Sequence, residues 1–122
     1  MITVYGLKAC DTCRKALGWL KDEKIAHRFV DLRADGIGKA DVSRFAKAVG
    51  WEKLLNKAST TWRGLDEDAK SGLTEARALA LMVEYPTLIK RPVFEVAGKG
   101  GAATIVSGFR DAEKAAVKAA VK

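Results

Sequence analysis

The opening 32 residues constrain the fold most. A β-branched and aromatic run, Ile2-Thr3-Val4-Tyr5, stops at Gly6, which predicts a short strand. Cys13, Ala16, Leu17, Leu20 and Lys24 then recur at helical spacing, with charges on the opposite face. His27 to Leu32, centred on Phe29 and Val30, predicts a second strand. Strand, helix and strand in so short a stretch imply a right-handed crossover and a parallel pair.

The middle of the chain is helical in pattern. Ala34 to Gly38 reads as a loop. Lys39 to Val49 carries Val42, Phe45, Ala46 and Val49 on one stripe and is closed by Gly50. Trp51 to Leu55 predicts a short helix, Asn56 to Gly64 a polar loop, and Asp66 to Ser71 a helical turn. Thr74 can cap a helix that is apolar nearly all round, which predicts burial, and Pro86 stops it. Val93 to Val96 and Thr104 to Val106 predict two more strands, with a hairpin turn at Gly98–Gly101. Asp111 to Val121 is an alanine-rich helix with Ala112, Ala115, Ala116 and Ala119 in register. A βαβ half and a ββα half make the thioredoxin-like plan. The expectation is an α/β fold: one domain over 1–122, a four-stranded mixed sheet from about 1–33 and 88–122, flanked by helices, with a helical insertion over about 34–87.

Charge narrows the partners. The chain has 22 Lys and Arg against 15 Asp and Glu, a net +7. Residues 1–32 carry 6 basic and 4 acidic groups, 33–87 carry 9 and 8, and 88–122 carry 7 and 3. No block of like charge appears and the only imbalance is in the last third, and aromatic residues do not interleave with the basic ones as in a stacking platform for nucleic acid. This is an ordinary solvated surface that can still hold a small anion or an acidic partner. Met1 to Gly6 lacks the features of a signal peptide, and no apolar run suits a membrane helix. We expect a cytoplasmic monomer that binds neither nucleic acid nor membrane.

In that compartment Cys10 and Cys13, in Cys-Asp-Thr-Cys, need a reason. Structural zinc wants four ligands, and His27 is the lone histidine, so no metal is expected. A structural disulfide would close a very small loop and be reduced in the cytosol. Two small apolar residues are a third reading. The fourth is a redox pair, because Cys-x-x-Cys at the strand–helix junction of a βαβ unit is where thioredoxin-type chemistry sits. The free N–H groups and dipole of the first helical turn favour a thiolate at Cys10. Lys8 and Arg14 add positive charge, partly offset by Asp11. Cys13 lies one turn inward on the apolar stripe and should ionise less readily, which leaves it to resolve a mixed disulfide.

Lys90-Arg91-Pro92 precedes the third strand. The thioredoxin plan puts a cis-proline there, beside the reactive cysteine, so Pro92 is expected cis and Arg91 is expected to aim its guanidinium at an anion in the same pocket. Arg63 and Arg110 are further candidates. His27 is expected to be a surface or internally satisfied residue, and the tryptophans to pack at helix ends, with Trp62 the one to watch.

Together, Ile2-Thr3-Val4-Tyr5-Gly6, Lys8 to Ala16, Trp51 to Asn56, Thr60-Thr61-Trp62-Arg63, Ile89 to Val93 and Gly108-Phe109 run across nearly the whole chain. In these pieces the sequence resembles the arsenate reductase-like (ArsC/Spx/YffB) family, most closely its YffB-type branch. The resemblance implies that Cys10 is the functional cysteine and that Arg91 matches one arginine of an oxyanion cage. Asn56 stands where arsenate reductases often carry arginine, and Arg110 lies only near a third cage position. These departures weigh against arsenate as the natural substrate.

Three functions follow from the residues and the resemblance. The leading one is a glutathione-linked thiol–disulfide reductase, with glutathione as reductant or co-substrate and glutaredoxin as a possible partner. Its expected site is Cys10 and Cys13 with Arg91, Lys8, Arg14, Arg63 and Asn56 around the anion. A glutaredoxin-coupled arsenate reductase is the second. The third is a redox-sensing regulator of the Spx type that binds RNA polymerase.

Overall fold

The computed structural model describes residues 2–97 and 103–121, so the turn expected at Gly98–Gly101 lies outside the described residues. In chain order the elements are β1 (Ile2–Gly6), α1 (Asp11–Asp22), β2 (His27–Asp31), α2 (Lys39–Val49), α3 (Trp51–Leu54), α4 (Thr60–Arg63), α5 (Glu67–Lys70), α6 (Glu75–Glu84), a 3-10 turn at Pro86–Leu88, β3 (Val93–Ala97), β4 (Ala103–Ser107) and α7 (Asp111–Val121). Their contacts form two compact units, Met1–Gly36 with Arg91–Lys122, and Ile37–Lys90.

The first unit holds the whole sheet, in the order β2-β1-β3-β4. β1 and β2 are parallel, as the crossover predicts, while β3 runs antiparallel to both β1 and β4. The register sets Phe29, Val4, Phe94 and Val106 in one row across the four strands. On this face Ile2, Val4, Phe94, Val96 and Val106 meet Ala16 and Leu20 of α1 and Val117 of α7. Phe109 closes one end of this core, edge-on to Trp19 at 5.6 Å and tilted against Phe94 at 6.3 Å. The result is the mixed, four-stranded, thioredoxin-like arrangement.

The alanine register expected for α7 is not the buried one. Ala112, Ala115, Ala116 and Ala119 are exposed, and the helix turns Val117 into the core with Glu113 and Ala120 half-buried. Alanine loses little by exposure and suits a helix anywhere, so four of them do not mark a face. The larger apolar surface of Val117 decides the rotation.

In the second unit α2 buries Val42, Phe45 and Ala46, the stripe its spacing predicts, and packs on α3 and α6. Gly50, at φ 90°, supplies the left-handed turn between α2 and α3. Thr74 caps α6 by accepting the Arg77 N–H at 3.3 Å. α6 is less buried than its composition suggests. Only Ala78, Leu79 and Met82 are inside, while Ala76 and Ala80 face solvent. Within the expected Asn56–Gly64 loop, Ser59 accepts the Trp62 N–H at 3.1 Å and starts the one-turn α4. Among the described residues no helix is long and apolar enough to cross a membrane.

Candidate active site

After β1 the chain turns sharply, with the Cys10 N–H donating to Leu7 O at 3.0 Å. Cys10 is the N-cap of α1, in extended conformation at φ −84° and ψ 120°, and its carbonyl accepts the first helical bond from the Arg14 N–H at 3.0 Å. The cap sits where the first-turn amides have no helical acceptor. Cys13 lies one turn on, buried against the sheet, and both cysteines are free thiols.

The two thiols are pushed in opposite directions. Burial by itself would raise Cys10, but the Cys13 N–H and thiol and the Arg91 guanidinium outweigh it and hold Cys10 below its ordinary value. Burial pushes Cys13 up to about 11, and the charge at Cys10 adds to the rise. An opposite charge and donors aimed at the sulfur are what a thiolate needs, whereas desolvation favours the neutral thiol.

Arg91 reaches Cys10 from the start of β3 across a cis Arg91–Pro92 bond, as the sequence predicts. The Gly108 N–H donates to Pro92 O at 2.9 Å, so the chain entering α7 is tied to the same segment.

A second anchor comes from β2. Asp31, the single buried carboxylate among the described residues, accepts the Lys8 N–H at 3.0 Å on one oxygen and the Arg33 and Ala34 N–H groups at 2.8 Å on the other. Hydrogen bonds from Ala34 and Lys8, opposed by burial and helped by Arg33, hold its carboxyl below the usual carboxylate range. Leu32 N–H donates to Gly6 O at 2.8 Å and completes the clamp. The loop that delivers Cys10 is thus fastened to the end of β2. Beside the clamp is an open pocket of about 390 Å³ lined by Leu7, Lys8, Ala9, Asp31, Arg33 and Ala34.

The structure brings together Cys10, Cys13, Arg91 and Pro92, with Lys8 exposed on the adjoining loop. Arg14 points outward and pairs with Asp11 at 2.6 Å, both largely exposed, so its charge is spent locally. Arg110 is exposed and its N–H donates to Glu113 at 2.9 Å. Asn56 and Arg63 belong to the second unit. There Asn56 Oδ1 accepts the Ala58 N–H at 3.2 Å, and Arg63 donates to Ala58 O at 2.8 Å. Trp62 lies in the same unit, with the ammonium groups of Lys57 and Lys70 at 5.7 and 5.8 Å from its ring centroid. His27 Nδ1 donates to Ile25 O at 2.8 Å and is satisfied internally.

Sequence reasoning missed three residues of the site: Gly6, Asp31 and Arg33. An aspartate that ends a strand just before Leu-Arg-Ala-Asp carries a turn signal, because its carboxylate can accept the next backbone amides. That signal was available for Asp31, although nothing local tells that it also accepts Lys8.

Fold and site together define a thioredoxin-like α/β fold with two free cysteines at a helix start. The chain belongs to the ArsC family, whose family model matches residues 5–113, and it fits the YffB-type branch. A solved structure described as YffB (PA3664) protein superposes with a TM-score of 0.86 at 41% identity, covering 98% of this chain and 99% of that one. The solution structure of an arsenate reductase (ArsC) related protein from Brucella melitensis gives a TM-score of 0.73 at 42% identity over 94% and 92% of the two chains. An uncharacterized protein of Haemophilus influenzae is 46% identical over 113 residues, 93% of this chain and 95% of that one. The global transcriptional regulator Spx of Listeria innocua is 24% identical over 95 residues, 76% of this chain and 72% of its own.

Proposed function

We propose that the protein is a cytoplasmic thiol–disulfide reductase that works with glutathione, with Cys10 as nucleophile. The observation that carries this reading is the placement of Cys10 at the N-cap of α1 with Arg91 beside it and Cys13 buried one turn on. The Cys10 thiolate attacks the glutathione sulfur of a mixed disulfide, RS–SG. A Cys10–glutathione S–S bond forms, the RS–SG bond breaks, and RS⁻ leaves with the electron pair and takes a proton from solvent. A second glutathione thiolate then attacks the glutathione sulfur on Cys10, releasing glutathione disulfide and the Cys10 thiolate. The net reaction is RS–SG + GSH → RSH + GSSG.

Cys13 offers a second release route. It must lose its proton, attack Cys10 Sγ and expel glutathione, leaving a Cys10–Cys13 disulfide for two further glutathiones to reduce. Mixed-disulfide formation removes the charge on Cys10, one of the causes that hold the Cys13 thiol up. The first step therefore eases the second. Arg91 and the helix start hold negative charge as it develops at the sulfurs. The test is disulfide reductase activity with glutathione. Cys10→Ser should abolish it, and full activity in that variant would end the proposal.

Arsenate reduction by the same Cys10 is the second reading, favoured by the likeness to the Brucella protein described as arsenate reductase related. It would need more cationic donors than Arg91 around the oxyanion. Asn56 offers a neutral side chain, and Arg110 is exposed. Arsenate turnover with glutathione and glutaredoxin, exceeding that with glutathione mixed disulfides, would put this reading first.

A further inference from the structure

The pocket beside the Asp31 clamp has no part in the chemistry at sulfur, yet Lys8 and Ala9 of the loop that carries Cys10 line it. Leu7, Ala9 and Ala34 give it an apolar surface, and Lys8 and Arg33, both exposed, complete the lining with Asp31. The acidic groups nearby keep their charge, but their oxygens already hold donors. Both Asp31 oxygens accept backbone amides, Asp35 accepts the Asp31 N–H at 2.8 Å, and Asp11 pairs with Arg14. Lys8 and Arg33 thus outnumber Asp31, the one carboxylate in the lining. At about 390 Å³ the space falls in the usual range for small-ligand sites, ~300–1,000 Å³.

From this we infer that the pocket binds a carboxylate-bearing arm of the thiol peptide that reacts at Cys10, with Arg33 and Lys8 as its two anchors. The inference rests on the proposed glutathione chemistry and names the subsite that would select it. An apolar floor with two cations at its rim suits a short peptide ending in a carboxylate. Arg33 supplies a planar fork of donors and Lys8 a point charge. The peptide sulfur then lies toward Cys10, one residue beyond Ala9. Arg91, just before β3, stands beside Cys10 and the reacting sulfurs.

The test compares two oxidants on the full-length protein. One is glutathione disulfide; the other is the disulfide of glutathione ethyl ester, whose glycyl carboxylate is blocked. The readout is the ratio of second-order rate constants for mixed-disulfide formation at Cys10, which cancels any effect on the thiol itself. The wild type should prefer the unblocked disulfide by about 5- to 10-fold, the size of one solvated charge-assisted contact. Arg33→Gln and Lys8→Gln should each bring the ratio toward one, and Arg33→Lys should keep part of it. A wild-type ratio near one, or a preference unchanged in both variants, overturns the pocket assignment while Cys10 chemistry stands. If neither disulfide modifies Cys10, the glutathione reading falls, and the subsite with it.

Discussion

Gly6 and Cys13 share one space: a Cβ on Gly6 would lie 2.5 Å from Cys13 Sγ and 3.4 Å from Phe29. The last residue of β1 must lack a side chain for the second cysteine to sit against the sheet. Gly6→Ala forces the thiol or the strand to move, and overpacking of this kind costs about 1–3 kcal/mol. Urea unfolding should show that loss in the single variant and a smaller one when Cys13→Ala is added. Losses that simply add would mean the two positions do not compete.

Asp31 should matter more than an ordinary surface carboxylate. Asp31→Ala leaves the Lys8, Arg33 and Ala34 amides without their acceptor, at a cost of about 3 kcal/mol, and loosens the Cys10 loop. Its folded pKa is depressed, so its contribution is present above the unfolded carboxylate value, ~3.9, and is lost as pH falls through the lower folded value. The urea midpoint of the wild type should therefore fall below pH ~4, and that of Asp31→Asn should fall less. Equal acid sensitivity would contradict the clamp.

Arg91 and the Cys10 thiolate are coupled, and a pH profile reads the coupling. The rate of Cys10 alkylation by iodoacetamide should titrate below the ordinary thiol value, with Cys13 unmodified at neutral pH. Arg91→Met should move the Cys10 midpoint up by about one unit, and Arg91→Lys should restore part of the shift. For stability, the depressed Cys10 contributes above the unfolded thiol pKa and loses that contribution as pH falls through the folded value. Cys13 has the opposite sign: its contribution is present below the unfolded value and is lost as pH rises toward about 11. A midpoint unmoved by Arg91→Met would remove the guanidinium from the site.

The rotation of α7 is testable by two alanine-scale changes. Val117→Ala should cost about 2 kcal/mol, because the valine is fully buried, whereas Ala116→Ser on the exposed side should stay within about 0.5 kcal/mol. Thermal unfolding of both variants decides it. A larger loss at position 116 would restore the alanine face.

Much of this site is written locally. β-Branched runs, glycine stops and the stripe over Cys13, Ala16 and Leu20 place the strand, the turn and the helix, and so place Cys10 at the cap. Arg91–Pro92 could be placed because the plan of the fold says what precedes β3. The clamp was hidden because Asp31 and Lys8 are 23 residues apart and meet only once β1 and β2 pair. The Gly6 requirement was hidden for a similar reason, since a glycine ending a strand looks like a stop until Cys13 is seen against it. Arg14 misled in the other direction: its position in sequence suggested the site, but its neighbour three residues back, Asp11, takes its charge. Alanine-rich α7 carried too little contrast between faces to show its rotation.

Mass spectrometry of the Cys13→Ser protein after exposure to glutathione disulfide tests the central claim most directly, because the resolving thiol is gone and a mixed disulfide must persist. The account predicts one glutathione per chain, on the peptide that contains Cys10, and its removal by reduced glutathione. A Cys10 that stays unmodified under conditions where a free cysteine in an unfolded peptide reacts would contradict it.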